Sequence, residues 1–123
     1  MAPIEGGVAA LPTVLVVDDE DDIRALVMRA LLHAGYRVFS ALNADDALAV
    51  AALIGSSLDL LLTDGIMRPG QNGDVLAQTL RQSMPTLPVV LMSGCPPRSF
   101  NLAALPGVRF LPKPFGIEDL LNA

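Results

Sequence analysis

Five polar residues in this chain stand where apolar runs end. Asp18 and Asp19 follow "TVLVV", Asp64 follows "LLLT", Ser93 follows "VVLM" and Lys113 follows "VRFLP". No cation lies beside Asp64 in sequence to pair with it. A buried carboxylate without a partner is costly or takes up a proton, so such a residue is either exposed or held for a purpose. Three carboxylates brought to one edge would repel one another, by about 4 kcal/mol per pair at about 4 Å and an effective dielectric of about 20. A hard divalent cation offsets that repulsion, and Mg2+ takes one or two carboxylates together with waters and a phosphate oxygen. A lysine adds positive charge and a serine adds a hydrogen-bond donor. This set can bind a phosphoryl group in transfer, with one aspartate as nucleophile forming an acyl phosphate. Asp64, alone at the end of a central strand, is the best nucleophile.

The elements that must position these residues are legible in the hydropathy. "TVLVV" (Thr13–Val17) has the pattern of a strand buried on both faces. Ile23, Leu26, Val27, Ala30 and Leu31 recur at helical spacing, and Gly35 is a plausible stop. Glu20, Asp21 and Asp22 read as first-turn acids favoured by the helix dipole rather than as ligands. "YRVFSA" is a second strand, and Asn43 can cap a helix through Leu53 that Gly55 ends. "LDLLLT" is the third strand, followed by a loop to Gly73 and a helix of about ten residues to Ser83. "PVVLM" is the fourth strand, a weak helical stretch runs from about Arg98 to Leu105, "VRFL" is the fifth strand, and "IEDLLNA" is a short last helix. Alternation of strand and helix implies a parallel sheet with helices on both faces. In such sheets the functional site lies beyond the carboxyl ends of the strands, where all five polar residues fall.

"VLVVDDEDDIR", "LLLTDGIM", "VVLMSG" and "FLPKPF", in this order and each at a strand end, resemble the receiver domains of two-component response regulators. The resemblance covers residues 13 to 121. It implies an α/β, three-layer doubly wound (βα)5 sandwich of flavodoxin-like type, with a five-stranded parallel sheet in the order 2-1-3-4-5. It implies that Asp64 accepts phosphate from a histidine kinase and that Mg2+ is the cofactor. Asp19 and Asp64 would bind the metal with the backbone carbonyl of Ile66, and Asp18 would help through water. Ser93 and Lys113 would contact the phosphoryl group. Phe110 takes the aromatic switch position, and Lys113–Pro114 would be a cis peptide. "LMSG" and "FLPKPF" look most like receivers attached to, or partnered with, hybrid histidine kinases. The implied partners are a sensor or hybrid histidine kinase, or a histidine phosphotransfer protein, and a downstream protein. By the same resemblance the chain is no enzyme beyond self-phosphorylation from a phosphodonor and slow self-dephosphorylation.

Three departures stand out. The family's loop runs Asp-x-x-Met-Pro-x-x-Asp/Asn-Gly, whereas "DGIMRPGQNG" carries one extra residue, most simply Arg68. Pro96 and Pro97 block an early start of the fourth helix. The last helix stops near Leu121. A reduced surface there leaves a monomer or a weak dimer as the expected state. A degenerate receiver serving as a phosphorylation-independent interaction module is therefore an alternative. An aspartyl-nucleophile phosphatase is a remote one, since the second acid such enzymes need two residues on is here Ile66.

Composition narrows the rest. The 123 residues suffice for one domain, read as a flexible tail over 1–12 and a receiver over 13–123. The net charge of −5 shows no basic patch, which argues against direct nucleic-acid binding. One Cys and one His exclude an intrachain disulfide and Cys or His metal clusters; Cys95 reads as an unreactive loop thiol and His33 as a structural residue. No apolar run approaches the about 18 residues needed to cross a bilayer, and the cytoplasm is the expected compartment. Lys113 is the single lysine beside seven arginines, and a compact ammonium suits a phosphoryl oxygen.

Overall fold

The computed structural model describes residues 11–67 and 70–122. The expected tail lies outside the described residues as far as residue 10, and so does Arg68. Five strands, β1 (Thr13–Val17), β2 (Arg37–Ala41), β3 (Leu58–Asp64), β4 (Val89–Ser93) and β5 (Arg109–Pro112), alternate with helices α1 (Asp21–His33), α2 (Ala44–Ile54), α3 (Gly73–Ser83) and α4 (Ile117–Leu121). The sheet order is β2-β1-β3-β4-β5 and every pairing is parallel.

The alternation of strand side chains divides the core in two. Leu15, Val17, Leu61 and Val89 point to one face, where Ala44, Ala47 and Ala51 of α2 and Leu76, Ala77 and Leu80 of α3 cover them. Val14, Val16, Leu62, Val90 and Met92 point to the other, under Val27 and Leu31 of α1 and Leu120 of α4. Apolar residues on both faces of β1 and β4 follow from helices packed on each side. The Asn43 side chain accepts the Asp46 N–H, as expected of a helix cap, and Gly35 and Gly55 take positive φ at the ends of α1 and α2.

Register sets the functional edge. Val17 pairs with Thr63, Asp64 with Met92, and Ser93 with Pro112. The residues that follow these pairs, Asp18, Asp64 with its neighbours, and Lys113, therefore emerge together at the carboxyl edge of β1, β3, β4 and β5.

The weak helix expected over 98–105 is instead two short 3-10 turns, Pro97–Ser99 and Leu102–Ala104. The Phe100 N–H donates to the Pro97 carbonyl, a 3-10 contact. The next N–H, that of Asn101, leaves the segment altogether and donates to Asp74 Oδ2 at 2.9 Å. With that donor taken, the turn does not propagate as an α-helix. Phe100 and Leu105 are buried and anchor the segment. Arg81 ties down its far side, donating from Nε to the Leu87 carbonyl (3.0 Å) and from a guanidinium NH2 group to the Pro106 carbonyl (2.9 Å).

Candidate functional site

Lys113 is the hub of the carboxyl edge. Its Nζ lies 3.1 Å from Asp18 Oδ2, 3.4 Å from Asp64 Oδ1 and 3.6 Å from Glu20 Oε1. The peptide Lys113–Pro114 is cis. The Lys113 N–H donates to the Ser93 carbonyl at 2.9 Å, which joins the loop after β5 to the end of β4. The cation missing beside Asp64 in sequence is thus supplied from the other end of the chain.

Asp18 is fully buried and Asp64 nearly so, whereas Asp19 and Glu20 are exposed. Asp18 is held firmly: Oδ1 accepts the Glu20 N–H at 2.9 Å, Oδ2 accepts from Lys113, and its backbone carbonyl accepts from the Arg24 guanidinium at 2.8 Å. One carboxylate oxygen each from Asp18, Asp19, Glu20 and Asp64 all lie within 4.8 Å of one another. Four carboxylates therefore face one ammonium. Burial pushes the Asp64 carboxyl up to about 6, the charges of Asp18 and Asp19 add to the rise, and Lys113 opposes it. Burial alone would lower the Lys113 ammonium, but the carboxylates of Asp18, Asp64 and Glu20 outweigh it and raise the group above its ordinary value. This all-oxygen, hard donor set with surplus negative charge fits Mg2+.

Ser93 is buried, and its Oγ accepts the Cys95 N–H at 3.0 Å. Ile66 is exposed on the loop after β3. Phe110 is half-buried, and its ring lies 6.3 Å, centre to centre, from that of Phe100 at a 43° tilt. Behind Asp64 the backbone is tightly packed. The Gly65 N–H donates to the Met92 carbonyl and the Gly73 N–H to the Gly65 carbonyl, both at 2.7 Å. A Cβ on Gly73 would run into the Asp64 carbonyl oxygen, so α3 can start here only with glycine.

Asp18, Asp64 and Lys113 are thus in direct contact range, Asp19 joins them, and Ser93 stands on the adjacent strand end. Glu20 was the residue that sequence reasoning misplaced. It precedes α1 as its N-cap and turns its carboxylate toward Lys113 instead of only lining the first turn. Its neighbours Asp21 and Asp22 are the first-turn acids. Asp74 was missed: its buried carboxylate binds the Val75 and Asn101 N–H groups and so joins α3 to the 94–105 segment. The position directly after Asn72–Gly73 was its only sequence signal. His33 is exposed at the end of α1.

Residues 14–123 match the family described as response regulator receiver domain. The sensor kinase CckA of Brucella abortus (strain 2308) is 36% identical over 110 residues, covering 88% of this chain but 12% of that kinase. This chain therefore spans only a small part of that relative. The solved receiver domain of the hybrid histidine kinase CckA superposes with a TM-score of 0.76 at 36% identity, over 89% of this chain and 93% of that one. The response regulator TrrA of Thermotoga maritima, solved in complex with Mg2+-BeF, gives a TM-score of 0.78 at 27% identity, over 91% of this chain and 95% of that one. No helix among the described residues is long and apolar enough to cross a membrane.

Proposed function

The chain belongs to the response regulator receiver family, and from that premise we propose that it is a phosphoacceptor whose Asp64 takes a phosphoryl group from a phosphohistidine. The contact of Lys113 Nζ with both Asp64 and Asp18 is the observation that carries this reading. Asp19 and Asp64, with the Ile66 carbonyl, would hold Mg2+, and Asp18 would reach it through water. When bound, Mg2+ supplies positive charge that offsets the crowded carboxylates and the incoming phosphoryl oxygens.

A carboxylate oxygen of Asp64 attacks phosphorus while the bond from phosphorus to the donor imidazole nitrogen breaks. The imidazole leaves with the electron pair and takes a proton from water. Lys113 binds a phosphoryl oxygen, and the Ser93 hydroxyl donates to another. Only the ionised form of Asp64 attacks, and without a metal burial holds this carboxyl up to about 6. The new charge draws in Ser93 and favours one of two pre-existing arrangements of Phe110, changing the surface offered to a downstream partner. Hydrolysis of the acyl phosphate resets the domain. Residues 13–123 form the receiver unit in this reading, its donor is a sensor or hybrid histidine kinase or a phosphotransfer protein, and its compartment is the cytoplasm.

Intact-mass spectrometry after incubation with acetyl phosphate and Mg2+ tests the reading. One added phosphoryl group is expected, absent from Asp64→Asn and absent without metal. No adduct in the wild-type protein, together with no binding of beryllofluoride, would leave a phosphorylation-independent interaction module.

A further inference from the structure

Gly65, the residue immediately after Asp64, is held on three sides. Its N–H is tied to β4 through the Met92 carbonyl and its C=O to α3 through the Gly73 N–H. The third side is covered by an aromatic ring. A Cβ built on Gly65 would stand 2.5 Å from Cζ and 2.8 Å from Cε1 of Phe100. Carbon atoms pack at about 3.5–4.0 Å, so the ring occupies the space where a side chain of residue 65 would be. Gly65 does not have positive φ. A side chain at residue 65 would therefore require the ring to move.

Phe100 is itself secured. It is 8% exposed, it packs against Phe110, and the adjoining Asn101 N–H is bound by Asp74. Its backbone N–H is bound to Pro97. The segment that replaces an expected helix thus delivers one large side chain onto the residue that follows the nucleophile.

We propose that Phe100 is a positioning residue for phosphoryl transfer: its ring, seated on Gly65, fixes the Gly65–Ile66 peptide and through it the Asp64 carboxylate and the Ile66 carbonyl. This rests on the phosphoacceptor reading above. A ring that merely filled the core would lower stability on removal but would not be coupled to the reaction at Asp64.

A double-mutant cycle with Gly65→Ala and Phe100→Ala separates the two. Two signals are read: the rate of adduct formation from acetyl phosphate at saturating Mg2+, and the Mg2+ dissociation constant by titration calorimetry. Phe100→Ala is expected to slow adduct formation about tenfold and to weaken Mg2+, since a misplacement of about 1 Å can cost about a hundredfold. Phe100→Leu, which keeps apolar bulk over Gly65, is expected within about threefold of wild type. Gly65→Ala is expected to slow the reaction about tenfold beside Phe100 but to add nothing further once the ring is gone. Folded Phe100→Ala reacting at the wild-type rate, or costs that multiply in the double variant, overturns the proposal. If Phe100→Ala does not fold, a folded Gly65→Ala with unchanged rate and Mg2+ affinity overturns it equally. Absence of any adduct in the wild-type protein overturns the phosphoacceptor reading itself, whereas a wild-type adduct with independent costs overturns only the role of Phe100.

Discussion

Removing the charge of Asp64 should stabilise the metal-free protein. The folded state raises this carboxyl from 3.8 to about 6, and each pKa unit corresponds to about 1.4 kcal/mol. The shift sets an upper bound of about 3 kcal/mol, and screening on the open side of the cleft reduces it to about 1–2 kcal/mol. The native pKa is the higher one, so between pH 4 and about 6 the folded protein binds more protons than the unfolded chain, and stability falls as pH rises through that window. Asp64→Asn lacks this titration. Its advantage is therefore nil below about pH 4, grows to about pH 6 and is constant above about pH 7. For a chain of this size the expected gain at pH 7.5 in EDTA is about 3–8 °C in Tm, read by differential scanning calorimetry. Saturating Mg2+ should stabilise the wild type and narrow the gap, because only the wild type keeps the full donor set. A variant that melts below wild type in EDTA, or a gap that does not change with pH, would refute the argument that burial and like charge strain this carboxylate.

Lys113→Ala leaves the buried Asp18 without its cation and should cost about 3 kcal/mol in urea unfolding and abolish adduct formation; Lys113→Arg should recover part of the stability but little of the rate, because a planar fork does not replace a compact ammonium. Gly73→Ala forces a Cβ into the Asp64 carbonyl and should destabilise by about 1–3 kcal/mol, with slower phosphorylation; unchanged values in both assays would count against the tight packing described for this junction. The resemblance to receiver domains implies that the positions two beyond Asp64 and Ser93 tune the phosphoryl lifetime; here they are Ile66 and Cys95, neither of which holds an attacking water well, so the phosphoryl group should persist for minutes or longer in a mass-spectrometric chase, and a lifetime of seconds would contradict this.

Most of the frame was legible because its signals are local. Apolar runs defined β1 and β3, Asn43 marked the start of α2, and the polar residues terminating the runs fell where parallel-sheet geometry places a site. Asp18, Asp64 and Lys113 could be brought together from sequence because strand order and register do it. The failures share a different cause. Leu102 and Leu105 have helical spacing, but a carboxylate 27 residues away takes the Asn101 N–H and stops the helix. Glu20 has the composition of a first-turn acid, and only its N-cap backbone turns it toward Lys113. The contact of Phe100 with Gly65 has no sequence signature, since a glycine after an aspartate reads equally well as a turn.

The hydrogen bond from Gly73 to Gly65 also bears on how this chain tolerates changes in length. It closes the neck of the loop formed by residues 66–72. With both ends pinned, the geometry of β3 and α3 is set at the neck and not by the number of residues between. Going from six to seven loop residues changes the closure entropy by only about 0.1 kcal/mol. An added residue such as Arg68 is therefore nearly neutral for folding, and insertion or deletion at this point is an inexpensive route by which such a chain can diversify the rim of its cleft while the nucleophile stays anchored.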